Sequence, residues 1–370
     1  MKNRMCEMFG IDVPIFAFSH CRDVVVEVSK AGGLGVLGVG RSSPEHVEED
    51  LRWIDEHIGG KPYGIDILMA TNYKDPGADK FEADHLFPPE HVAFVRKMLD
   101  DAGVPELPAD MKDEITRANL ESVSLTPSES RVMLDIAFSH PIKLIVNALG
   151  SPPPELVERA HARGIKLAAL AGEPKHAVKH RDAGCDFVIA VGNEAGGHTG
   201  PITSMVLWPR VVDAVAPMPV LGGGGVGRGR QVAAALALGC EGVWCGSIWL
   251  KTVQSELTPD MRKKFYAADS KDSVWTKCLT GKTARMLRSR YTDAWDAPGA
   301  PPVLPAFTQR YLWETEARGR LERARANDFL IYPVGQLVGD MKEETSVRNV
   351  VHEMISELIE AKEKLDDMIG

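Results

Sequence analysis

The chain has 370 residues, 44% of them apolar and 26% charged, and a formal net charge of −9. It can therefore bury a large core, while the acidic balance without a basic stripe argues against nucleic acid or an anionic membrane as the main partner. No run approaches the ~18 apolar residues of a membrane-spanning helix, and the charged N-terminus lacks the apolar core of a signal peptide. We expect a soluble cytoplasmic protein that acts on a small molecule.

Eight short apolar runs alternate with helical segments along the first 250 residues. Most of the runs show no polar alternation, which is typical of parallel strands covered on both faces. This order predicts a (β/α)8 TIM barrel rather than an open doubly wound sheet, because Gly33-x-Gly35 precedes another strand and not a helix. The predicted strands cover residues 13–19, 32–40, 63–69, 142–148, 165–171, 186–190, 219–221 and 241–247.

Two segments lie outside this barrel domain, which we place at residues 1–250. An insertion at 72–127 follows the third strand, with one helix predicted over 89–102, and it either shapes the top of the barrel or decorates the surface. A C-terminal extension covers 251–370 and ends in an amphipathic helix that packs on the barrel or, in a homodimer, on a second copy. The apolar positions of that helix are Val347, Val350, Val351, Met354, Ile355, Leu358 and Ile359.

Two glycine-rich loops are the main candidates for a site. After strand six, the segment Val191–Gly200 places His198 beside glycines whose backbone can approach a flat ring, so His198 can donate a proton or stabilise negative charge. After strands seven and eight, Gly222–Gly225 and Gly246–Ser247 offer backbone N–H groups to a phosphate. The alternatives are a structural histidine and ordinary tight turns.

Other candidates carry weaker signals. His20, Cys21 and Arg22 follow strand one and could face a substrate, while Asp66 and Asn147 near the ends of strands three and four could bond a ring edge or only neighbouring backbone.

Three further patterns are set aside at this stage. His176 and His180 share a helix face without a third ligand, so a solvated face is favoured over a metal site, and no metal is expected. The six cysteines are scattered and predicted to be reduced. Gly281-Lys-Thr283 imitates the end of a P-loop, but Thr276 replaces the required glycine.

Four motifs together resemble the nitronate monooxygenase (2-nitropropane dioxygenase) family, which also contains flavin-dependent enoyl-acyl-carrier-protein reductases. The resemblance implies a TIM barrel that binds FMN non-covalently. It further implies that Gly224, Gly225, Gly246 and Ser247 hold the phosphate, that Ala195, Gly196 and Gly197 run beside the isoalloxazine ring, and that His198 is the active-site histidine. The motifs are Ala31–Gly38, Gly192–Gly200, Pro219–Val226 and Val243–Ser247.

This chain departs from the family pattern at Ala17–Asp23, where a Gln-Ala-Pro-Met type sequence is usual, and in its large insertion. These features, with Gly64–Asp66 and Arg228–Gln231, look more like an actinobacterial branch that includes a reductase of a CoA thioester in steroid-ring degradation.

Three hypotheses follow from the resemblance. The first is an FMN enzyme in which a hydride passes between NADH or NADPH, the flavin and an unsaturated or hydroxylated acyl thioester. His198 would supply a proton or polarise the carbonyl, and Arg22 or Arg41 would meet the charge of CoA. The second is a nitronate monooxygenase that uses O2 and needs no nicotinamide. The third, of another class, is a flavin-binding or scaffold protein without catalytic activity.

Overall fold

The computed structural model describes residues 3–40, 42–69, 87–121, 127–306 and 308–370. Strands β1–β6, β8 and β9 close a parallel barrel in chain order, which confirms the predicted TIM barrel. The strands are β1 (Ile15–Ser19), β2 (Leu34–Gly38), β3 (Tyr63–Ile67), β4 (Leu144–Asn147), β5 (Lys166–Ala171), β6 (Phe187–Val191), β7 (Gly197–His198), β8 (Val220–Gly223), β9 (Gly242–Cys245), β10 (Ser273–Thr276) and β11 (Ala284–Leu287).

Helices follow the barrel strands and cover their outer faces. Most of them begin where the sequence supplies a start signal; Ser43, for example, accepts a hydrogen bond from His46 N at the start of the helix that follows β2. The α-helices are α1 (Arg4–Phe9), α2 (Arg22–Lys30), α3 (Pro44–His57), α4 (Pro89–Asp101), α5 (Lys112–Glu121), α6 (Pro127–Phe138), α7 (Pro154–His161), α8 (Pro174–Asp182), α9 (Ser204–Val215), α10 (Gly229–Ala237), α11 (Pro259–Ala267), α12 (Arg290–Asp296), α13 (Thr308–Leu312), α14 (Gly319–Arg323) and α15 (Val347–Ile369). Short 3-10 helices lie at Ser247–Lys251, Ser270–Asp272 and Gln336–Asp340, and a π-helical turn lies at Trp313–Arg318.

Alternation along each strand decides which side chains fill the barrel. Phe16, Leu144 and Phe187 belong to one buried cluster inside it, whereas Ile65 and Ile145 pack outward against the helices. By the same alternation Asp66 faces inward. It stands between Gly38 of β2 and Val146 of β4 in the strand register.

Part of the insertion after β3 is described. Helix α4 matches the predicted helix at 89–102, but α5 was not predicted, because its sequence is mostly polar and lacks a strong apolar stripe. The remaining parts of the predicted insertion, residues 72–86 and 122–126, lie outside the described residues.

The C-terminal extension builds structure of its own over the barrel. β10 and β11 form an antiparallel pair, and β11 also pairs with the short β7, so one strand of this sheet comes from the loop after β6. Helix α15 packs on α10 and α2 and buries Val347, Val351 and Met354. Within the described ranges, no helix is long and apolar enough to cross a membrane.

Candidate functional site

The loop after β8 has a backbone conformation that requires glycine. Gly224 and Gly225 have φ values of 110° and 68°, and a Cβ at Gly224 would lie 2.6 Å from Ser204 Oγ and 3.0 Å from Gly192 N. In the part of the chain that the structure describes, no acceptor is hydrogen-bonded to the amide N–H groups of these two glycines. Both donors are therefore available to a ligand.

The loop after β9 provides a second pair of donors beside the first. Gly246 and Ser247 open a 3-10 helix, and a Cβ at Gly246 would meet only Phe18 Cδ1, at 3.8 Å. Their amide groups also lack an acceptor among the described residues, and β8 and β9 are neighbours in the barrel. Four such N–H groups on two adjacent strand-end loops suit an anion without any basic side chain. We call these four residues the phosphate corner.

Side chains that sequence reasoning missed hold the phosphate corner in shape. Ser204 Oγ lies 3.1 Å from Gly224 O, 3.3 Å from Gly223 O and 2.8 Å from a Glu194 carboxylate oxygen, to which it donates. Gln231 donates to Gly225 O at 2.7 Å and accepts from Gly227 N and Arg228 N. The position of Gln231, three residues after the N-cap Arg228, was the available sequence signal.

The glycine loop after β6 packs against the C-terminal extension. A Cβ at Gly196 would lie 2.8 Å from Val334 Cα, and Gly335 N donates to Ser247 Oγ at 2.8 Å. Gly196 is therefore needed for close packing against the backbone of the C-terminal extension. Gly197 differs, because its φ is 77° and no atom lies within 4 Å of a Cβ built there. Ala195 is half-buried and packs on the cluster inside the barrel.

His198 lies on β7, exposed at the rim, with its ring held by the loop before β11. Its Nδ1 lies 3.1 Å from Thr283 O, and its Nε2 lies 3.4 Å from Thr280 Oγ1. Opposite Gly197, the buried Arg285 donates to Asn193 O and Ser273 O, both at 2.7 Å. Burial lowers the pKa of Arg285, and the nearby Glu194 opposes this effect. The small sheet thus fixes the position of His198.

Asp66 and Asn147, both predicted near strand ends, have opposite environments. Asp66 is 5% exposed, and none of the described residues donates a hydrogen bond to its carboxyl group. Burial raises the pKa of Asp66 well above its usual range, so the group favours the protonated form. Asn147 instead bonds Met69 N and Met69 O, both at 3.0 Å, and Gly150 O at 3.2 Å. Of the two roles considered for Asn147, its geometry matches the bond to neighbouring backbone.

Of the three candidates after β1, His20 lies at the barrel mouth, whereas Cys21 and Arg22 do not. The His20 ring packs on Phe18 at 5.1 Å, and its Nδ1 lies 2.7 Å from Gly38 O. A Cβ at Gly38 would meet Phe18 at 2.7 Å, so both rings lie over this glycine at the barrel mouth.

Cys21 and Arg22 point away from the mouth. The Cys21 thiol donates to Gln254 O at 2.9 Å, and burial raises its pKa to about 11. Arg22 lies 3.1 Å from Asp50 and stacks over Trp53. Neither side chain is brought to the candidate site. Arg41 lies outside the described residues.

The predicted solvated face at His176 and His180 is wrong for His180. It is 3% exposed and lies 2.9 Å from Ser151 Oγ and 3.0 Å from Leu170 O, because α8 turns it toward the barrel. Burial lowers the pKa of His180. No cluster suited to a metal ion occurs among the residues that are described. All six cysteines are free thiols, as predicted.

Comparisons with known proteins cover the whole chain. A family model described as nitronate monooxygenase matches residues 2–357. The Mycobacterium tuberculosis protein Rv1533, which is named as a monooxygenase, is 46% identical, with 100% of both chains covered.

Two solved structures share the fold at low sequence identity. Nitroalkane oxidase from Streptomyces ansochromogenes gives a TM-score of 0.78 at 22% identity and covers 98% of this chain and 100% of its own. A FabK mutant from Thermotoga maritima gives 0.70 at 23% identity, with 100% of both chains covered.

The family model covers residues 2–357, and the Mycobacterium tuberculosis relative is aligned over its full length. The chain therefore belongs to the nitronate monooxygenase family, and it is a flavin-dependent oxidoreductase.

Proposed function

We propose that the flavin is FMN and that its phosphate binds at the phosphate corner. The observation that carries this proposal is the set of four backbone N–H groups at Gly224, Gly225, Gly246 and Ser247, none of which has an acceptor among the described residues. Such donors satisfy a phosphate dianion directly, and the glycines allow its oxygens to approach the backbone. The buried carboxyl of Asp66, which lacks a protein partner among the described residues, suits a polar edge of a cofactor inside the barrel mouth.

FMN, when bound, supplies the hydride-transfer chemistry, so the protein contributes binding, orientation and protons. The phosphate corner anchors one end of the cofactor. Gly197 leaves room beside the flat ring system, since nothing lies within 4 Å of a Cβ built there. Asp66, kept protonated by burial, can donate a hydrogen bond. His198 stands at the solvent-facing rim, where its imidazole can give a proton to a substrate or stabilise developing negative charge.

We further propose that the reaction reduces an acyl-CoA thioester with NADH or NADPH. Support comes from the end of β1, where the chain departs from the family pattern and places the rings of Phe18 and His20 over Gly38. These rings narrow the mouth on one side and offer an apolar surface to an acyl group. Arg22 does not contribute to this pocket, because its guanidinium is paired with Asp50.

Nitronate oxidation is the second candidate. The family model is described as nitronate monooxygenase, and the 46% identical relative is named as a monooxygenase. A nitronate would meet the same phosphate corner and the same histidine. The nitronate would replace the nicotinamide as the electron donor, and O2 would be the electron acceptor.

An anaerobic visible spectrum of the purified protein tests both the binding of FMN and the choice between the two reactions. A flavin band, present as isolated or after FMN is added, is expected. Bleaching of the band by NADH or NADPH would favour the thioester reductase, and bleaching only by an alkyl nitronate would favour the monooxygenase. The absence of a flavin band even with added FMN would overturn the proposal.

A further inference from the structure

The loop Thr280–Thr283, which contains the false P-loop run Gly281–Thr283, contacts both ring nitrogens of His198. Thr283 contributes its backbone carbonyl oxygen to Nδ1 at 3.1 Å, and Thr280 contributes its hydroxyl to Nε2 at 3.4 Å. The loop leads directly into β11, whose Ala284 pairs with His198 in the sheet. The imidazole is therefore held from one side by a single short stretch of chain.

This loop is itself fixed by the extension. Gly281 has a φ of 77°, and a Cβ there would lie 2.6 Å from Leu304 O and 2.7 Å from Ala306 N. The fully buried Gln309 donates to Cys278 O at 2.7 Å and accepts from Leu304 N at 2.9 Å. Thr280 is thus presented to His198 by a braced backbone.

The Thr280 hydroxyl has a single hydrogen, and where that hydrogen points favours a proton on His198 Nε2. The Thr280 hydroxyl lies 3.2 Å from Lys282 O, to which it donates, and it accepts from Lys282 N at 3.3 Å. A hydroxyl has one hydrogen, so with that hydrogen on Lys282 O the remaining lone pair faces Nε2. Nδ1 faces a carbonyl oxygen, which can only accept. Both ring nitrogens then meet acceptors, an arrangement that suits the doubly protonated imidazole.

The described elements next to His198 carry several charged groups. The loop brings Lys282, β11 brings Arg285 opposite Gly197, and Glu194 precedes β7 with its carboxylate bonded to Ser204. The segment 333–337, packed on Gly196, carries no charged residue.

We propose that Thr280 is a positioning residue for His198, whose hydroxyl orients the imidazole and keeps a proton on Nε2 ready for transfer. This inference rests on the catalytic role proposed for His198. Thr280 acts through His198 and does not itself meet the substrate.

Histidine-selective NMR titration of the full-length protein tests the proposal without needing turnover. The His198 signal is assigned as the one that H198Q removes. In T280V the pH midpoint of that signal is expected to fall, because the neutral ring loses no partner while the protonated ring loses one. T280S restores the hydroxyl and is expected to titrate like the wild type. T283V is the matched control: it removes a hydroxyl from the same loop and keeps the carbonyl that Nδ1 faces.

Steady-state rates give the second measurement. With the substrate that bleaches the flavin, T280V is expected to lower kcat about tenfold above the His198 midpoint, less below it, and to leave KM nearly unchanged. An unshifted His198 midpoint in T280V, or an equal shift in T283V, would overturn the role of Thr280 even if flavin chemistry is present. A shifted midpoint without any flavin reduction would instead count against the proposed function. If T280V fails to fold, T280A takes its place, with the same expected changes in the His198 midpoint and in kcat.

Discussion

Gly246→Ala separates the phosphate corner from the stability of the fold. The backbone at Gly246 has φ −119° and ψ −68°, so alanine is not forced into the left-handed region. Its methyl group would meet only Phe18, at 3.8 Å. The free energy of unfolding without cofactor is therefore expected to stay within about 1 kcal/mol of the wild type. If the FMN phosphate binds at the phosphate corner, the added methyl group narrows the space beside the N–H groups of Gly246 and Ser247. Losing one charge-assisted hydrogen bond, worth roughly 1.5–3 kcal/mol, would raise Kd roughly 10- to 100-fold.

Quenching of FMN fluorescence measures Kd, and denaturant unfolding of the cofactor-free protein measures stability. Gly172→Ala serves as the control, because Gly172 also lacks a positive φ and its Cβ would lie 3.4 Å from its nearest neighbour, Gly200 N, after β5 and away from the phosphate corner. G246A with wild-type Kd would refute the assignment of the phosphate corner. G246A with a large loss of stability would refute the claim that the space beside Gly246 is open.

Three other results are expected. His198→Gln should retain FMN and lose at least about 100-fold in turnover, measured with the substrate that bleaches the flavin; an unchanged rate would favour a flavin-binding protein without catalysis. Burial raises the pKa of Asp66, so the native state loses stability as pH rises through that raised value. Asp66→Asn should therefore raise Tm relative to the wild type at alkaline pH and not at acidic pH, and equal gains at both would contradict the assignment. Burial raises the pKa of Cys21 to about 11 and that of Cys240 to about 12, so a thiol reagent at pH near 8 should label these residues only after unfolding; rapid labelling of the native protein would disprove their burial.

The barrel could be predicted from the sequence because its signals are local. Each of the predicted runs became a barrel strand, and the glycines at Gly224 and Gly225 mark a backbone that other residues cannot adopt. His198 does follow strand six as predicted, but it lies on the separate strand β7, which was not predicted. None of these inferences requires knowledge of which distant segments meet.

The small sheet of β7, β10 and β11 had no comparable signal in the sequence. β7 has two residues, and its partner β11 begins at Ala284, far along the chain. A strand this short carries no readable alternation, so its existence depends on the fold that brings the two segments together. Thr280 and Arg285, which hold His198 and the loop before it, could not be selected in advance for this reason.

Side-chain direction at the strand ends also escaped prediction. His20 and Cys21 are adjacent, yet one lies at the mouth and the other donates to Gln254 O. At this point the strand period of two gives way to the helical period, so the direction of each side chain depends on the geometry of the turn.

The sequence by itself determined the order of the strands, the glycine loops at their ends and the family to which the chain belongs, since each depends on residues close together in the chain. The tertiary structure decided which candidates meet. It buried Asp66 inside the barrel, tied Asn147 to Met69, and set the loop of Thr280 against His198. These outcomes arise from contacts between segments distant in sequence, where packing and the need to satisfy buried polar groups select the partners.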